Sequence, residues 1–155
     1  MLLSKVTLAK VLALTGFSMF TLPALAQDCS VTVDSNDAMQ FDSDSIEISK
    51  SCDEFTVTLT HSGELPVSSM GHNWVLSEEE DMQAIARDGT SAGVDQDYLQ
   101  PDDDRVIAAT DMIGGGGETS TTFDVSQLEE GGSYMFFCSF PGHLSMMQGS
   151  VTLVP

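Results

Sequence analysis

The sequence predicts an all-β domain, either an antiparallel sandwich or a barrel, with one short helix in a flap between strands. Short stretches in which apolar and polar residues alternate recur along the chain, which is typical of half-buried strands. Gly, Pro, Asp and Ser separate these stretches, and only one segment has a helical apolar period. Seven or eight such strands are enough for two packed sheets.

Most of the predicted strands carry apolar side chains at every second position, so that one face of the strand is apolar. In chain order they are residues 30–33, 46–48, 55–60, 106–108, 121–125, 134–138 and 150–154. The sixth stretch is rich in aromatic residues and ends at Cys138.

The predicted helix lies in the middle of the chain. Ser77 to Glu80 has the pattern of a capping box, with Ser77 as the N-cap. Met82 and Ile85 then follow at helical spacing, and Gly89 is expected to end the helix. The polar segment 88–104 is interpreted as a loop flap outside the sandwich.

Residues 1–26 are predicted to be a signal peptide, which leaves one domain at 27–155. Lys5 and Lys10 precede an apolar stretch, and Ala24-Leu25-Ala26 has the form of a cleavage site. A membrane anchor is the alternative, but polar residues interrupt the apolar stretch. The rest of the chain has no run of 18 apolar residues that would span a bilayer.

The chain is strongly acidic, with a formal net charge of −19 at pH 7. Removal of the leader takes away Lys5 and Lys10 and no acidic residue, so the mature charge falls by two, to −21. Such a charge excludes nucleic acid as a partner, because binding it requires Lys and Arg to displace counterions. An anionic membrane surface is excluded for the same reason.

The chain has three cysteines, all after the predicted leader. In an exported protein we expect an even pair to form a disulfide, and Cys29 with Cys52 would join the first strand to the next. Cys138 then remains as an odd thiol. A free thiol is a liability in an oxidising compartment unless something, such as a metal, binds it.

A candidate metal site surrounds Cys138. His143 and Met147 follow it with the spacing Cys-x4-His-x3-Met, in a loop that contains Pro141-Gly142, and His72 lies far upstream. One thiolate, two imidazoles and one thioether are the ligand set of a blue-copper site. Only a folded domain would bring His72 to the other three.

Other interpretations of these residues fit the sequence less well. Cys138 alone would most often be a buried, inert thiol. A nucleophilic Cys with a His base lacks a residue to orient the base, and a structural zinc site prefers more Cys or His ligands. For His61 we favour a structural or solvent-linked role. The spacing favours Met147 over Met146 as the ligand, and Met146 is then expected at the surface.

Several motifs together resemble one family. They include Gly71-His72-Asn73-Trp74 and Phe140-Pro141-Gly142-His143. The full set of matching stretches is 29–31, 36–41, 70–77, 97–99, 101–103, 105–108, 122–126, 134–138 and 140–143. Over residues 28–153 the chain resembles the azurins, a family of bacterial cupredoxins. The resemblance implies an eight-stranded Greek-key β-sandwich with copper near one end, and a disulfide between Cys29 and Cys52.

The resemblance also implies roles for individual residues. The three strong copper ligands fall on His72, Cys138 and His143. The weak axial ligands fall on Met147 and the backbone carbonyl of Gly71. Asn73 matches a residue that braces the ligand loops, and Trp74 matches a buried core indole.

The function implied is one-electron transfer in the periplasm through one copper ion, without enzymatic activity. Phe41, Phe137 and Phe140 are expected to exclude water. An apolar patch beside His143 would bind redox partners and consists of Leu65, Met70, Phe140, Pro141, Leu144 and Met146. We expect a monomer, with c-type cytochromes, copper nitrite reductase or a peroxidase as partners. Copper delivery and a metal-free adhesion domain are the alternatives.

Overall fold

The computed structural model describes residues 28–155, so the predicted leader lies outside the described residues. The described part has nine strands. They are β1 (Ser30–Asn36), β2 (Gln40–Phe41), β3 (Ser45–Ser49), β4 (Glu54–His61), β5 (Val75–Glu78), β6 (Val106–Ala109), β7 (Glu118–Asp124), β8 (Tyr134–Phe137) and β9 (Gln148–Val154). The helices are α1 (Val67–Met70) and α2 (Met82–Gly89), with 3-10 turns at Val94–Gln96 and Val125–Gln127.

The strands form two sheets, with the orders β2-β1-β4-β7 and β3-β9-β8-β5-β6. This confirms the predicted all-β sandwich; the two-residue β2 is a strand beyond the expected eight. Two pairs, β1 with β4 and β3 with β9, are parallel, so the expectation of a wholly antiparallel pairing was wrong. In each pair the chain passes through the other sheet between the two strands, and such a crossover connection allows a parallel pairing.

The strand β5 was not predicted, and the capping box assigned to its end was wrong. Ser77 lies in β5, and α2 begins five residues later with Asp81 at its N-cap and no side-chain capping hydrogen bond. The predicted end at Gly89 is confirmed. The Oγ of Ser77 donates instead to the carbonyl of Glu78, at 2.9 Å.

Buried apolar residues lie on both faces of the five-stranded sheet. On the inner face, Trp74 stacks on Phe136, with ring centroids 5.8 Å apart, in the core between the sheets. On the outer face, Val75 and Phe137 pack with Ile85 of α2. Because successive side chains of a strand point to opposite faces, β5 and β8 contribute to both clusters.

The disulfide between Cys29 and Cys52 is present, which confirms the predicted pairing. It links the residue before β1 to the turn before β4, with the two Cα atoms 5.7 Å apart. Among the described residues, no helix is long and apolar enough to cross a membrane.

Candidate metal centre

Three strand ends bring the candidate site together. β5 runs antiparallel to β8, with Val75 opposite Phe137. The residues before β5 and after β8 therefore lie at the same end of these two strands. β9 begins beside the end of β8, and the Cys138 N–H donates to the Met147 carbonyl at 3.1 Å. The fold therefore places His72, Cys138 and Met147 side by side, although His72 is far from the others in sequence.

The Sγ of Cys138 lies between two imidazoles. It is 3.8 Å from His72 Nδ1 and 3.7 Å from His143 Nδ1, and these three donor atoms all lie within 4.8 Å of one another. With bonds of about 2.3 Å to sulfur and about 2.0–2.1 Å to nitrogen, as zinc makes, a trigonal angle separates sulfur from nitrogen by about 3.8 Å. The donor atoms therefore fit a single trigonal metal ion.

Hydrogen bonds and close packing orient the His72 side of the site. His72 Nε2 lies 2.9 Å from the carbonyl of Asn36, and a proton shared there leaves Nδ1 free to face the sulfur. The carbonyl of Gly71 lies 3.9 Å from Cys138 Sγ. A Cβ at Gly71 would come within 2.5 Å of the Val67 carbonyl, so only glycine fits there.

A chain of turns, rather than a strand, carries His143. Gly142 has a φ of 90°, a left-handed conformation that glycine adopts without strain. The N–H groups of Met146 and Met147 both donate to the His143 carbonyl, at 2.9 Å. Met146 is 59 % exposed and Met147 is fully buried, as the spacing predicted, because this turn directs the two neighbouring side chains apart.

Burial shifts the proton affinities of the donors. It raises the pKa of the Cys138 thiol to about 11, since the low-dielectric surroundings disfavour the thiolate. It also lowers the pKa of His72 and lowers that of His143 to about 4. Near neutral pH both imidazoles are therefore available as ligands, and a metal ion that binds must displace the thiol proton.

Comparison with known proteins agrees with this geometry. The model of the family described as copper binding proteins, plastocyanin/azurin family, matches residues 27–154. The chain belongs to the plastocyanin/azurin family. The donor set and its spacing fit one type 1 copper ion, which this family binds.

Individual azurins match over most of their length. The azurin of Pseudomonas aeruginosa is 53 % identical over 146 residues, which cover 94 % of this chain and 99 % of that protein. The azurin of Pseudomonas chlororaphis is 61 % identical over 126 residues, which cover 81 % and 98 %. The solved structure of azurin Az-iso2 from Methylomonas sp. strain J is 46 % identical, with a TM-score of 0.81, and covers 83 % of this chain and 100 % of that one.

Membership of this family makes the chain a blue copper electron-transfer protein and not an enzyme. Its function therefore depends on how the protein holds a redox ion and contacts redox partners.

Asn73 connects the two halves of this azurin-like site. Its Oδ1 accepts the N–H of Ser139 at 2.9 Å, and its Nδ2 donates to Ser139 Oγ at 2.8 Å. Asn73 follows His72 and Ser139 follows Cys138, so the residues next to two donors are joined directly. The sequence indicated Asn73 but not Ser139, because nothing local distinguishes a bracing serine.

His61 is buried beside the site. Its Nδ1 accepts the N–H of Gly63 at 3.0 Å, so its Nε2 carries the proton and donates to the Met70 carbonyl, also at 3.0 Å. Its ring stacks on that of His72. The structural role expected for His61 agrees with these contacts. The sequence did not indicate the contact with His72, because the two residues are eleven positions apart, one at the end of β4 and the other before β5.

The residues of the predicted patch differ in exposure. Leu65 is 42 % exposed, Met146 is 59 % exposed and Pro141 is also exposed. Met70, Phe140 and Leu144 are half-buried. The Phe140 ring stacks on His143 with centroids 4.5 Å apart, and His143 itself is only 4 % exposed.

Proposed function

We propose that this protein carries single electrons in the periplasm with a defined ligand set. His72 Nδ1, Cys138 Sγ and His143 Nδ1 are the strong copper ligands, and the Met147 thioether and the Gly71 carbonyl are weak axial ones. The observation that supports this is the position of Cys138 Sγ, 3.8 Å and 3.7 Å from the two imidazole nitrogens. One buried thiol between two imidazoles matches the blue-copper donor set.

The protein supplies a rigid and dry site. A bound copper ion contributes a one-electron couple between Cu(I) and Cu(II). Hydrogen bonds to other protein groups hold His72 and the backbone of the Cys138 loop, and this favours the same positions in both oxidation states. The fully buried Phe137 and the half-buried Phe140 exclude water. Phe41 packs on Phe136 in the core between the sheets, with ring centroids 5.6 Å apart.

Export to the periplasm is supported by two features. Residues 1–26 have the pattern of a cleaved leader, which leaves 27–155 as the functional domain. The disulfide between Cys29 and Cys52 is a bond that oxidising compartments maintain.

Electrons enter and leave through the apolar patch of Leu65, Met70, Phe140, Pro141, Leu144 and Met146. Phe140 connects this patch to the copper site, because its ring stacks directly on His143. A small apolar contact of this kind suits a brief encounter, since redox complexes have small interfaces.

The partners are periplasmic redox proteins, such as c-type cytochromes, copper nitrite reductase or a peroxidase, that meet a monomer of this chain. The formal net charge of −19, which becomes −21 without the leader, favours partners with a basic face, and the association rate falls as salt screens the attraction.

The test compares the purified, copper-loaded wild type with Cys138→Ser. The wild type is expected to show an intense thiolate-to-copper absorption band in the visible, and Cys138→Ser is expected to lose it completely. The Cys29→Ser/Cys52→Ser double variant is the control: it removes the two other cysteine sulfurs and is expected to keep the band. A wild type that binds copper and stays colourless, or a band that survives Cys138→Ser, would overturn the assignment.

A further inference from the structure

Asp97 lies outside the ligand-bearing strands, in the flap directly after the 3-10 turn Val94–Gln96. We propose that Asp97, together with Tyr98, is a positioning residue for the copper site: the flap clamps the ligand loops from outside the sandwich. The inference rests on the ligand set proposed above.

The backbone carbonyl of Asp97 is shared by two ligand loops. It accepts the Nδ2 of Asn73 at 3.1 Å and the Oγ of Ser139 at 2.7 Å. Asn73 is the residue after His72, and Ser139 is the residue after Cys138. A displacement of this one carbonyl would therefore disturb the neighbours of both ligands at once.

The carboxylate of Asp97 reaches a third segment. Its Oδ1 accepts the N–H of Met112 at 2.9 Å. The side chain of Met112 covers Gly71, with Cγ 2.9 Å and Sδ 3.0 Å from the place where a Cβ on Gly71 would lie. The next residue, Ile113, exchanges two backbone hydrogen bonds of 2.9 Å with His72. The carboxylate thus anchors the segment that lies over Gly71 and alongside His72.

Tyr98 connects the flap to His143, the third strong ligand, through Phe140. Its ring meets Phe140 edge-on, with centroids 5.2 Å apart and an angle of 70° between the planes. Phe140 in turn stacks on His143. Residues 97 and 98 therefore contact the surroundings of all three strong ligands, although neither residue provides a ligand.

The backbone at these two positions is strained. Asp97 has a φ of 53° and Tyr98 a φ of 51°, and a left-handed conformation is unfavourable for each L-residue. Such strain persists where the surroundings fix the conformation, and here the contacts with the ligand loops do so. Two consecutive strained residues facing a metal site indicate a functional constraint on the flap.

The test uses two variants that both tolerate the left-handed conformation, so that neither adds backbone strain at position 97. Asp97→Gly keeps the carbonyl and removes the carboxylate, whereas Asp97→Asn retains an oxygen that can accept the Met112 N–H. With Cu(II) as the probe, Asp97→Gly is expected to shift the reduction potential and to weaken copper retention against a chelator about tenfold. Asp97→Asn is expected to behave as the wild type.

A second measurement needs no copper. In the metal-free protein, hydrogen exchange of the Met112 amide is expected to accelerate in Asp97→Gly and to stay slow in Asp97→Asn. Asp95→Gly is the matched control, because Asp95 is exposed and lies in the adjoining 3-10 turn.

The inference is overturned if Asp97→Gly keeps the wild-type potential, copper retention and Met112 exchange, or if Asp95→Gly or Asp97→Asn changes them equally. A wild type without the blue absorption band is a different result, because it refutes the ligand assignment and not the role of the flap.

Discussion

The imidazole ring of His61 lies against that of His72, with centroids 4.6 Å apart and planes inclined by 19°. His61 is also hydrogen-bonded on both ring nitrogens, to the carbonyl of Met70 and the N–H of Gly63. The His61 ring is therefore held in place and restricts the movement of the His72 ring.

Replacement of His61 by Ala should destabilise the metal-free protein by about 2–4 kcal/mol, because it leaves a cavity behind His72 and removes the partner of two partly buried backbone groups, the Met70 carbonyl and the Gly63 N–H. His61→Phe keeps a ring of similar shape and loses only the hydrogen bonds, so its loss should be smaller. Urea unfolding of both variants checks this. Equal losses would show that packing of the ring contributes nothing.

The fully buried Met147 should tune the site without creating its colour. Met147→Leu conserves volume, so the unfolding free energy should change by less than about 1.5 kcal/mol. The visible band should remain while the reduction potential shifts, because the axial thioether adjusts the potential of such sites. Voltammetry and absorption spectra measure the two effects, and complete loss of the band would contradict a weak axial role.

Removal of the disulfide should affect stability and leave the copper site intact. Cys29 and Cys52 are 23 residues apart, and a loop of that length contributes about 3 kcal/mol in the chain-entropy model. The Cys29→Ala/Cys52→Ala variant should lose about that much in urea unfolding and keep an unchanged visible spectrum. A change in the spectrum would show that the bond also shapes the metal centre.

Arg105 should stabilise the flap only above acidic pH. Its guanidinium donates to both carboxylate oxygens of Asp103, at 2.7 and 2.6 Å, and to Asp88 at 3.1 Å. These hydrogen bonds lower the pKa of both carboxyls below the ordinary value of 3.8. The stabilisation is thus present above about pH 4 and is lost as the pH falls through the lowered values.

Arg105→Gln should therefore reduce the urea midpoint at pH 7, and the difference from the wild type should shrink towards pH 2. Arg87→Gln is the control, because Arg87 pairs with Asp88 while its side chain is 74 % exposed, and it should have little effect at either pH. An Arg105→Gln deficit that is the same at both pH values would refute the electrostatic explanation.

Met146 should control partner encounter and not the potential, since its side chain is exposed on the patch and Met147 is the buried neighbour. Met146→Gln should slow electron transfer to a basic c-type cytochrome several-fold at fixed ionic strength and leave the potential unchanged. Val94→Gln replaces an exposed apolar residue that is not part of the patch, and its rate should match the wild type. Stopped-flow kinetics measure the rates of electron transfer. Equal rates for Met146→Gln and Val94→Gln would show that Met146 does not contact the partner.

Strands with one buried face could be predicted from the sequence. In β4 the alternation of Phe55, Val57 and Leu59 is visible in the sequence because only one face is buried. In β5 the alternation is not visible, because both faces are buried. Leu76, like Trp74 just before the strand, lies in the inner core, while Val75 packs against α2. β5 is therefore without a period of two, and Ser77 at its end resembled a helix cap. β8 is also buried on both faces, but its run of aromatic residues still indicated a strand.

The donor types of the site were determined by the sequence alone, because a thiol and two imidazoles are properties of side chains and their spacing limits what they can bind. The tertiary structure decided how the donors are held: by the carbonyl of Asn36 on His72, that of Met70 on His61, and that of Asp97 on Asn73 and Ser139. Every residue has a carbonyl, so no sequence pattern marks the few that matter. Only the folded chain determines where each one points.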